Sequence, residues 1–345
     1  MSGGVDSSVA AFLLKEQGLE VIGLTMCLGI HNGEDDSRSR CCGAQAIDDA
    51  KAVCRQLNID HYVLDFSDTL EEKVIADFVS EYISGRTPNP CVRCNEYLKF
   101  GKLLGYAKDM GFDFLGTGHY ARIEKTEGHF LLKKPKDTIK DQTYFLYTLR
   151  KEDLPFILFP LSDYTKDEVR GIARKNKLTV ADKPQSQDIC FVQDADYADF
   201  IFQRTGQKKE GDIVDSAGNI LGKHKGIFHY TRGQNRGLGI AVGRPLYVVG
   251  IDADKNQVVV GDRDDLEAQG LIAEAVNVLS PELPAKIWAK IRYGQKQASC
   301  RVRSCQDKTL EVIFDQPQEA ISPGQSIVLY DNDIVCAGGI IKKSF

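Results

Sequence analysis

The chain has 345 residues, 42% of them hydrophobic and 27% charged, with a formal net charge of −5, an ordinary globular composition long enough for two or three domains with full cores. No apolar run reaches the roughly 18 to 20 residues of a membrane span and no leader precedes the first motif, so neither a membrane protein nor an exported one is expected. Ten cysteines in such a chain point to a reducing compartment, the cytoplasm, and to metal or sulfur chemistry rather than a disulfide framework.

In chain order, the first eight residues, Met1-Ser2-Gly3-Gly4-Val5-Asp6-Ser7-Ser8, carry two glycines and then open an apolar helical run, Val9 to Leu14, that closes at Gly18. The glycines permit a tight turn. A tight turn on a helix N-terminus is an anion site, because unpaired N–H groups and the helix dipole point at one place, and serine hydroxyls add donors. The Walker-type phosphate loop is excluded, since Gly-x-x-x-x-Gly-Lys-Ser/Thr is absent. Beyond it the pattern predicts a strand over 19–26, helices over 44–57, 70–83 and 97–110, strands over 61–66 and 113–116, and loops over 27–43 and 85–95. Helices between short apolar strands predict a parallel sheet covered on both faces. Ligands of such sheets sit at the carboxyl ends of the strands, which places Met26 and Thr117-Gly118-His119-Tyr120 opposite whatever Ser2 to Ser8 hold.

Near residue 195 the character changes. Turn signals at Asp215 to Asn219 and Ala253 to Asn256 separate short apolar runs and predict hairpins. From Ala285 onward alternation dominates, predicting a small β-barrel or sandwich. Residues 201–245 hold eight Lys/Arg against three acids, a basic stretch suited to phosphate contacts. Its aromatics Phe228 and Tyr230 fit core packing better than base stacking.

Three further stretches carry chemistry. Thr87-Pro88-Asn89-Pro90-Cys91-Val92-Arg93-Cys94-Asn95 is a proline-stiffened loop with a Cys-x-x-Cys. A thiol near a helix N-terminus and an arginine favours the thiolate, and the pair fits a redox couple, half a zinc site or part of an iron–sulfur site. Lys140-Asp141-Gln142-Thr143-Tyr144-Phe145 is a polar patch leading into an apolar run, and Cys190 ends a polar Gln/Asp-rich approach.

Together these strings resemble the tRNA-specific 2-thiouridylases of the PP-loop ATP pyrophosphatase superfamily, over essentially the whole chain. SGGVDSS, the NPxxxCN loop, TGHY, KDQTYFL, SQDICFV and TRGQNRGLGI occur at compatible spacings. The resemblance implies a PP-loop/HUP-like α/β domain with a doubly wound parallel sheet (1–195), a small mixed α+β tRNA-binding domain (196–265) and a C-terminal β-barrel (266–345). It implies ATP with Mg²⁺ at Met1, Ser2, Gly3, Gly4, Val5, Asp6, Ser7, Met26 and Gly118. It makes Cys94 the nucleophile and Cys190 the persulfide carrier. Asn89, Pro90 and Cys91 take the target base, and His119, Lys140, Asp141, Gln142, Arg292, Tyr293 and Gln325 contact tRNA. The implied partners are tRNA, with lysine, glutamate and glutamine acceptors, and a persulfide donor or relay protein. A phosphate loop of this kind follows a buried strand, so a short strand is expected ahead of Met1, and weak ATP affinity without it.

Many family members carry Asp where this chain has Cys91, which removes a candidate general base. It also opens a second route, a [4Fe–4S] cluster on Cys91, Cys94 and Cys190. Cys41 and Cys42 form a structural pair, and Cys27, Cys54, Cys300, Cys305 and Cys336 fit core or surface thiols. Two other readings compete. A PP-loop ligase that adenylates a small molecule leaves the three cysteines unexplained. A zinc-stabilised RNA-binding module leaves the phosphate loop idle.

Overall fold

The computed structural model describes residues 1–29, 44–184, 189–192, 197–206, 209–240 and 242–345. It forms two compact units, one of Met1–Val74, Cys91–Gln187 and Asp333–Val335, the other of Ile75–Pro90, Asp188–Asn332 and Cys336–Phe345.

In the first unit, helix α1 (Val5–Glu16) follows the glycine turn directly. Gly3 has φ +66°, and a Cβ there would lie 2.2 Å from the Ala46 carbonyl oxygen, so only glycine fits. Strand β1 (Gly23–Cys27) pairs in parallel with β2 (His61–Asp65), Gly23 opposite His61 and Cys27 opposite Asp65. Helix α2 (Ala44–Leu57) buries Ala50, Val53, Cys54 and Leu57 at helical spacing. Helix α3 (Ser67–Leu70) continues through a π stretch, Glu71–Ile75, into α4 (Ala76–Ile83), whose residues belong to the second unit.

The segment expected to loop as far as Asn95 is helical from Pro90. Helix α5 (Pro90–Arg93) runs through a π stretch, Cys94–Leu103, into α6 (Leu104–Asp109). Proline suits a first helical turn, where its missing N–H has no intrahelical partner, and Asn89 before it is a favoured cap type. The Cys-x-x-Cys therefore lies on the helix, not on a loop ahead of it. Strand β3 (Leu115–Gly116) leads to the hairpin β4 (Arg122–Thr126) and β5 (His129–Lys133), and β6 (Ile157–Leu158) returns to pair with β3 in parallel. Helix α7 (Lys166–Lys175) starts in a capping box of Thr165 and Glu168. Val5, Val9, Ala10 and Ala11 of α1 join a core with Val53 of α2 and Val169 and Ala173 of α7. That packing fixes the direction in which the N-terminus of α1 points.

In the second unit, helix α8 (Tyr197–Thr205) precedes two hairpins, β7 (Gly211–Asp215) with β8 (Ile220–His224) and β9 (Tyr247–Asp252) with β10 (Gln257–Gly261). They form one sheet in the order β8-β7-β10-β9, with β10 parallel to β7. The first turn forms because the Asp215 carboxylate accepts from the backbone N–H groups of Ala217 and Asn219 at 3.0 and 2.8 Å. Phe228 and Tyr230 are buried. Strands β11 (Glu267–Val278), β12 (Lys286–Lys290), β13 (Ala298–Gln306), β14 (Thr309–Glu319), β15 (Ser326–Asp331) and β16 (Ile334–Ser344) follow in the order β11-β14-β13-β12-β15-β16, and a β11–β16 pairing closes the barrel.

Among the described residues, no helix is long and apolar enough to cross a membrane. Cys54, Cys300 and Cys336 are buried thiols, and burial pushes Cys300 up to about 12. Cys27 is disulfide-bonded, which corrects its reading as a thiol. Cys41 and Cys42 lie outside the described residues.

Candidate active site

The N-terminal loop is held by its own hydroxyls. The Ser2 backbone N–H donates to Ser7 Oγ at 3.1 Å, Ser2 Oγ and Ser7 Oγ are 3.0 Å apart, and Ser8 Oγ donates to the Gly4 carbonyl at 2.9 Å. Two lysines from distant sequence hold the same loop. Lys166, the first residue of α7, donates to both carboxylate oxygens of Asp6 at 2.6 and 2.7 Å. Lys183 donates to the Gly3 carbonyl at 3.0 Å and to Asp49 at 2.6 Å, and that hydrogen bond holds the Asp49 carboxyl below its ordinary range. The Tyr120 hydroxyl also donates to Asp6, at 3.0 Å. Burial first, and the Asp6 charge next, keep that phenol protonated far above its ordinary value.

The loop opens into a cavity of about 460 Å³ whose lining includes Ser2, Asp6, Ser7, Met26, Lys99, Gly118, His119 and Gln142, a size typical of ligand pockets, which run to about 300–1,000 Å³. Gly118 lies against the first turn of α1. A Cβ there would sit 2.6 Å from the Asp6 carbonyl carbon and 2.7 Å from the Ser7 nitrogen. Gln142 Oε1 accepts from the Tyr120 N–H at 2.9 Å, tying the 140–145 segment to the cavity wall. The residues fit a nucleoside triphosphate: N–H groups at a helix start, two hydroxyls and an apolar rim. The Asp6 carboxylate offers the hard oxygen that Mg²⁺ takes together with phosphate oxygens.

On the helix at Pro90, Cys91 is exposed and Cys94 half-buried. Surrounding protein desolvates the Cys91 thiol and pushes it above its ordinary value, against the pull of Lys99. Asn95 is buried and donates to the Phe145 carbonyl at 3.0 Å, joining this helix to the 140–145 segment. His119 Nδ1 is 2.8 Å from Thr117 Oγ1, and its Nε2 is 3.4 Å from Lys99 Nζ. A lysine ammonium only donates, so Nε2 is the acceptor and the proton is assigned to Nδ1. Burial, with Lys99 adding, lowers the His119 pKa well below its usual value.

Burial also lowers His61 and His224. A histidine whose folded pKa is depressed binds fewer protons than in the unfolded chain, so stability rises with pH across that window. Folding stability is expected to fall as pH drops below about 6.5. Denaturant melts from pH 7.5 to 5.5 test this, and His119→Asn should flatten the slope.

In the second unit, the segment leading to the helix is latched. The Thr87 N–H donates to the Pro323 carbonyl at 2.8 Å, and Gln325 Nε2 donates to the Thr87 and Pro88 carbonyls at 3.0 and 3.2 Å. Gln325→Ala removes two hydrogen bonds at about 1 kcal/mol each. We expect a loss of about 1–2 kcal/mol in denaturant unfolding. Cys190 is exposed. Phe191, next to it, is buried against Phe78 and Phe200 with ring centroids 5.3 and 5.5 Å away. Gln185 to Asp188, on its approach, lie outside the described residues.

Comparison with known proteins gives the family. Residues 1–194 match a family model described as the tRNA methyl transferase HUP domain, 198–262 the tRNA methyl transferase PRC-barrel domain, and 268–341 an aminomethyltransferase beta-barrel domain. The chain is 53% identical over 344 residues to tRNA-specific 2-thiouridylase MnmA 1 of Syntrophus aciditrophicus, covering 100% of this chain and 92% of that one. It is 48% identical to tRNA-specific 2-thiouridylase MnmA of Clostridioides difficile over 100% of this chain and 97% of that one. The chain belongs to the tRNA-specific 2-thiouridylase family. The methyl-transferase wording is that of the matched models' descriptions, whereas these full-length relatives carry the thiouridylase name. An NMN synthetase from Francisella tularensis overlaps 60% of the chain and 76% of that one at 18% identity, with a TM-score of 0.36 that carries no argument.

Of the residues the 2-thiouridylase motifs single out, the first unit gathers Met1, Ser2, Asp6, Ser7, Met26, Gly118, His119 and Gln142 around one cavity. Gly3, Gly4 and Val5 shape the turn behind it. Asp141 is buried, and its carboxylate accepts from the N–H and hydroxyl of Thr143 at 2.9 and 2.5 Å, so it shapes the segment rather than facing outward. The Lys140 N–H donates to Asp137 at 3.1 Å. Pro90 is buried and Asn89 half-buried. Arg292 is spent on the barrel, donating to the Ala320 carbonyl at 2.5 Å and Ser322 Oγ at 3.1 Å, while Tyr293 beside it is exposed. Among the described residues no group of three or more His, Cys, Asp or Glu is placed to hold a metal ion, so the iron–sulfur alternative gains no support. Lys99, Lys166 and Lys183 were not expected. Lys99 and Lys166 lie in helical stretches that no local motif marks, and Lys183 opens the polar approach to Cys190 with no sign of what its ammonium reaches.

Proposed function

We propose that the chain is a cytoplasmic, ATP-dependent tRNA 2-thiouridylase that replaces the C2 oxygen of the wobble uridine by sulfur. The observation that carries this is the single cavity in which the phosphate loop meets Gly118, His119, Gln142 and, through Lys99, the helix bearing Cys91 and Cys94.

In this reading Met1, Ser2, Gly3, Gly4, Val5, Asp6, Ser7, Met26 and Gly118 hold ATP, and Mg²⁺, when bound, neutralises charge on its phosphates. Asn89, Pro90 and Cys91 take the base. His119, Lys140, Gln142 and Tyr293 contact tRNA, with Asp141, Arg292 and Gln325 shaping the segments around them. Residues 1–195 catalyse, and the 196–265 domain, through its basic 201–245 stretch, and the barrel at 266–345 grip the tRNA by phosphate contacts that weaken with salt.

The chemistry has two parts. A carbonyl oxygen is a poor leaving group, so the uridine O2 is first joined to the α-phosphorus and pyrophosphate departs. The terminal sulfur of a Cys190 persulfide then forms a bond to C2, and AMP leaves. The Cys94 thiolate attacks Cys190 Sγ, and the old S–S electron pair stays on the sulfur bound to the base. The product is 2-thiouridine with a Cys94–Cys190 disulfide, which an external thiol reduces before the next turnover. A persulfide donor or relay protein reloads Cys190, and the acceptors are tRNAs for lysine, glutamate and glutamine.

The test is nucleotide analysis with unmodified tRNA. AMP and pyrophosphate in equal amounts, formed only with tRNA, are expected. ADP, or AMP formed equally well without tRNA, contradicts the reading and favours a small-molecule ligase in the second case.

A further inference from the structure

Three lysines surround the phosphate loop, and they differ in what neutralises them. Lys166 is paired with Asp6 and Lys183 with Asp49. Lys99 lines the cavity, is half-buried, and has no carboxylate partner among the described residues. A half-buried ammonium without a counter-ion is costly unless something anionic arrives. Its one close polar neighbour is neutral: His119 Nε2 at 3.4 Å, with His119 Nδ1 committed to Thr117. Phe100 and Phe159 flank that imidazole at 5.7 and 6.0 Å between ring centroids, which holds the ring in place. His119 therefore aims Lys99 without cancelling its charge.

The backbone explains how Lys99 reaches the cavity. It lies in the π stretch Cys94–Leu103, whose i→i+5 bonding widens the turn. Residue 99 then follows residue 94 by about one turn and stands on the same side of the helix. The Lys99 charge also pulls the Cys91 thiol downward against its desolvation.

Resting on the reading above, we propose that Lys99 is a catalytic residue: its ammonium contacts the α-phosphoryl group as that group passes from pyrophosphate to the uridine oxygen. The loop at the start of α1 supplies donors for the departing pyrophosphate. The transferring phosphoryl needs a cation on the side from which the base approaches, and Lys99 is the cavity's lysine or arginine among the described lining residues. In that step the O2–phosphorus bond forms and the bond to the α,β-bridging oxygen breaks. Its electron pair leaves on pyrophosphate, which also takes the uridine N3 proton. Lys99 transfers no proton. It stabilises charge that is larger in the transition state than in bound ATP.

The experiment uses the full chain with ATP and unmodified tRNA, comparing wild type, Lys99→Met, Lys99→Gln and Lys99→Arg. Single-turnover pyrophosphate formation and the ATP Kd are measured, with circular dichroism as the folding check. Lys99→Met should slow pyrophosphate formation by about 100-fold or more while changing the ATP Kd by less than about 5-fold, and Lys99→Arg should recover at least about 10-fold of the rate. Lys99→Gln gives the same loss if the methionine variant does not fold. The His119 imidazole, followed by NMR, should titrate higher once the lysine is gone. An unchanged rate in both neutral variants, or a fall in ATP affinity as large as the fall in rate, overturns the proposal while leaving the 2-thiouridylase reading intact. Wild type that releases no pyrophosphate with tRNA overturns both.

Discussion

Cys94→Ser and Cys190→Ser should each reduce 2-thiouridine formation by about a thousandfold or more while leaving ATP binding within about twofold. A serine hydroxyl cannot carry a persulfide and is not ionised at neutral pH, so Cys190→Ser removes the sulfur carrier and Cys94→Ser removes the thiolate that frees the sulfur. The two variants separate the halves of the reaction, because both keep the cavity in which AMP is transferred. Both should still release AMP slowly with tRNA, from activated uridine that hydrolyses unused. Cys91→Ser is the control. Cys91 is exposed and in this reading carries neither the sulfur nor the attacking thiolate, so its loss should cost less than about tenfold. A loss as large as that of Cys94 would bring the cluster chemistry back.

Gly118→Ala should weaken ATP binding by about 10- to 100-fold. The added Cβ would lie 2.6, 2.7 and 2.9 Å from the Asp6 carbonyl carbon, the Ser7 nitrogen and the Asp6 oxygen. All three are backbone atoms at the first turn of α1, with no flexible side chain to yield. The turn must move, and with it the N–H groups aimed at phosphate. Overpacking of this kind costs about 1–3 kcal/mol, and displacement of about 1 Å at a reacting site costs about 100-fold. Gly171→Ala, inside α7 with nothing within 4 Å of the new Cβ, should instead stabilise by about 0.5–1 kcal/mol. Equilibrium ATP binding and denaturant unfolding of the pair distinguish a local clash from a general effect of replacing glycine.

Much of the fold is visible in local patterns. The turns at Asp215 to Asn219 and Ala253 to Asn256 stand between apolar runs and form where expected, since aspartate and asparagine side chains satisfy their own turn backbone. The barrel strands from Lys286 onward alternate as expected, whereas β11 (Glu267–Val278) lies ahead of the stretch from Ala285 in which alternation was read. The start of the cysteine helix was not visible, because a proline-rich string looks like a loop until Pro90 is recognised as a first-turn proline. Strand β1 begins four residues later than its apolar run.

The site divides in the same way. Ser2 to Ser7 and Gly118 are legible because a phosphate loop needs glycine and hydroxyls at fixed spacing. Lys99 and Lys166, in helical stretches, and Lys183, between elements, are not, because a lysine has no local signature of what its ammonium reaches. Lys166 meets Asp6 across 160 positions, and only the packing of α7 on α1 brings it there. Asp141, Arg292 and Gln325 lie in motif strings that imply RNA contact. Their side chains make internal hydrogen bonds in the folded chain, which a string of residues cannot reveal.

The most direct test of the central claim is nucleoside mass spectrometry of unmodified tRNA incubated with the full chain, ATP and a persulfide source. 2-Thiouridine is expected at the wobble position, dependent on ATP, on Cys94 and on Cys190, with one AMP released for each sulfur inserted. Tightly bound ATP with no 2-thiouridine, or full 2-thiouridine formation by both cysteine variants, would contradict it.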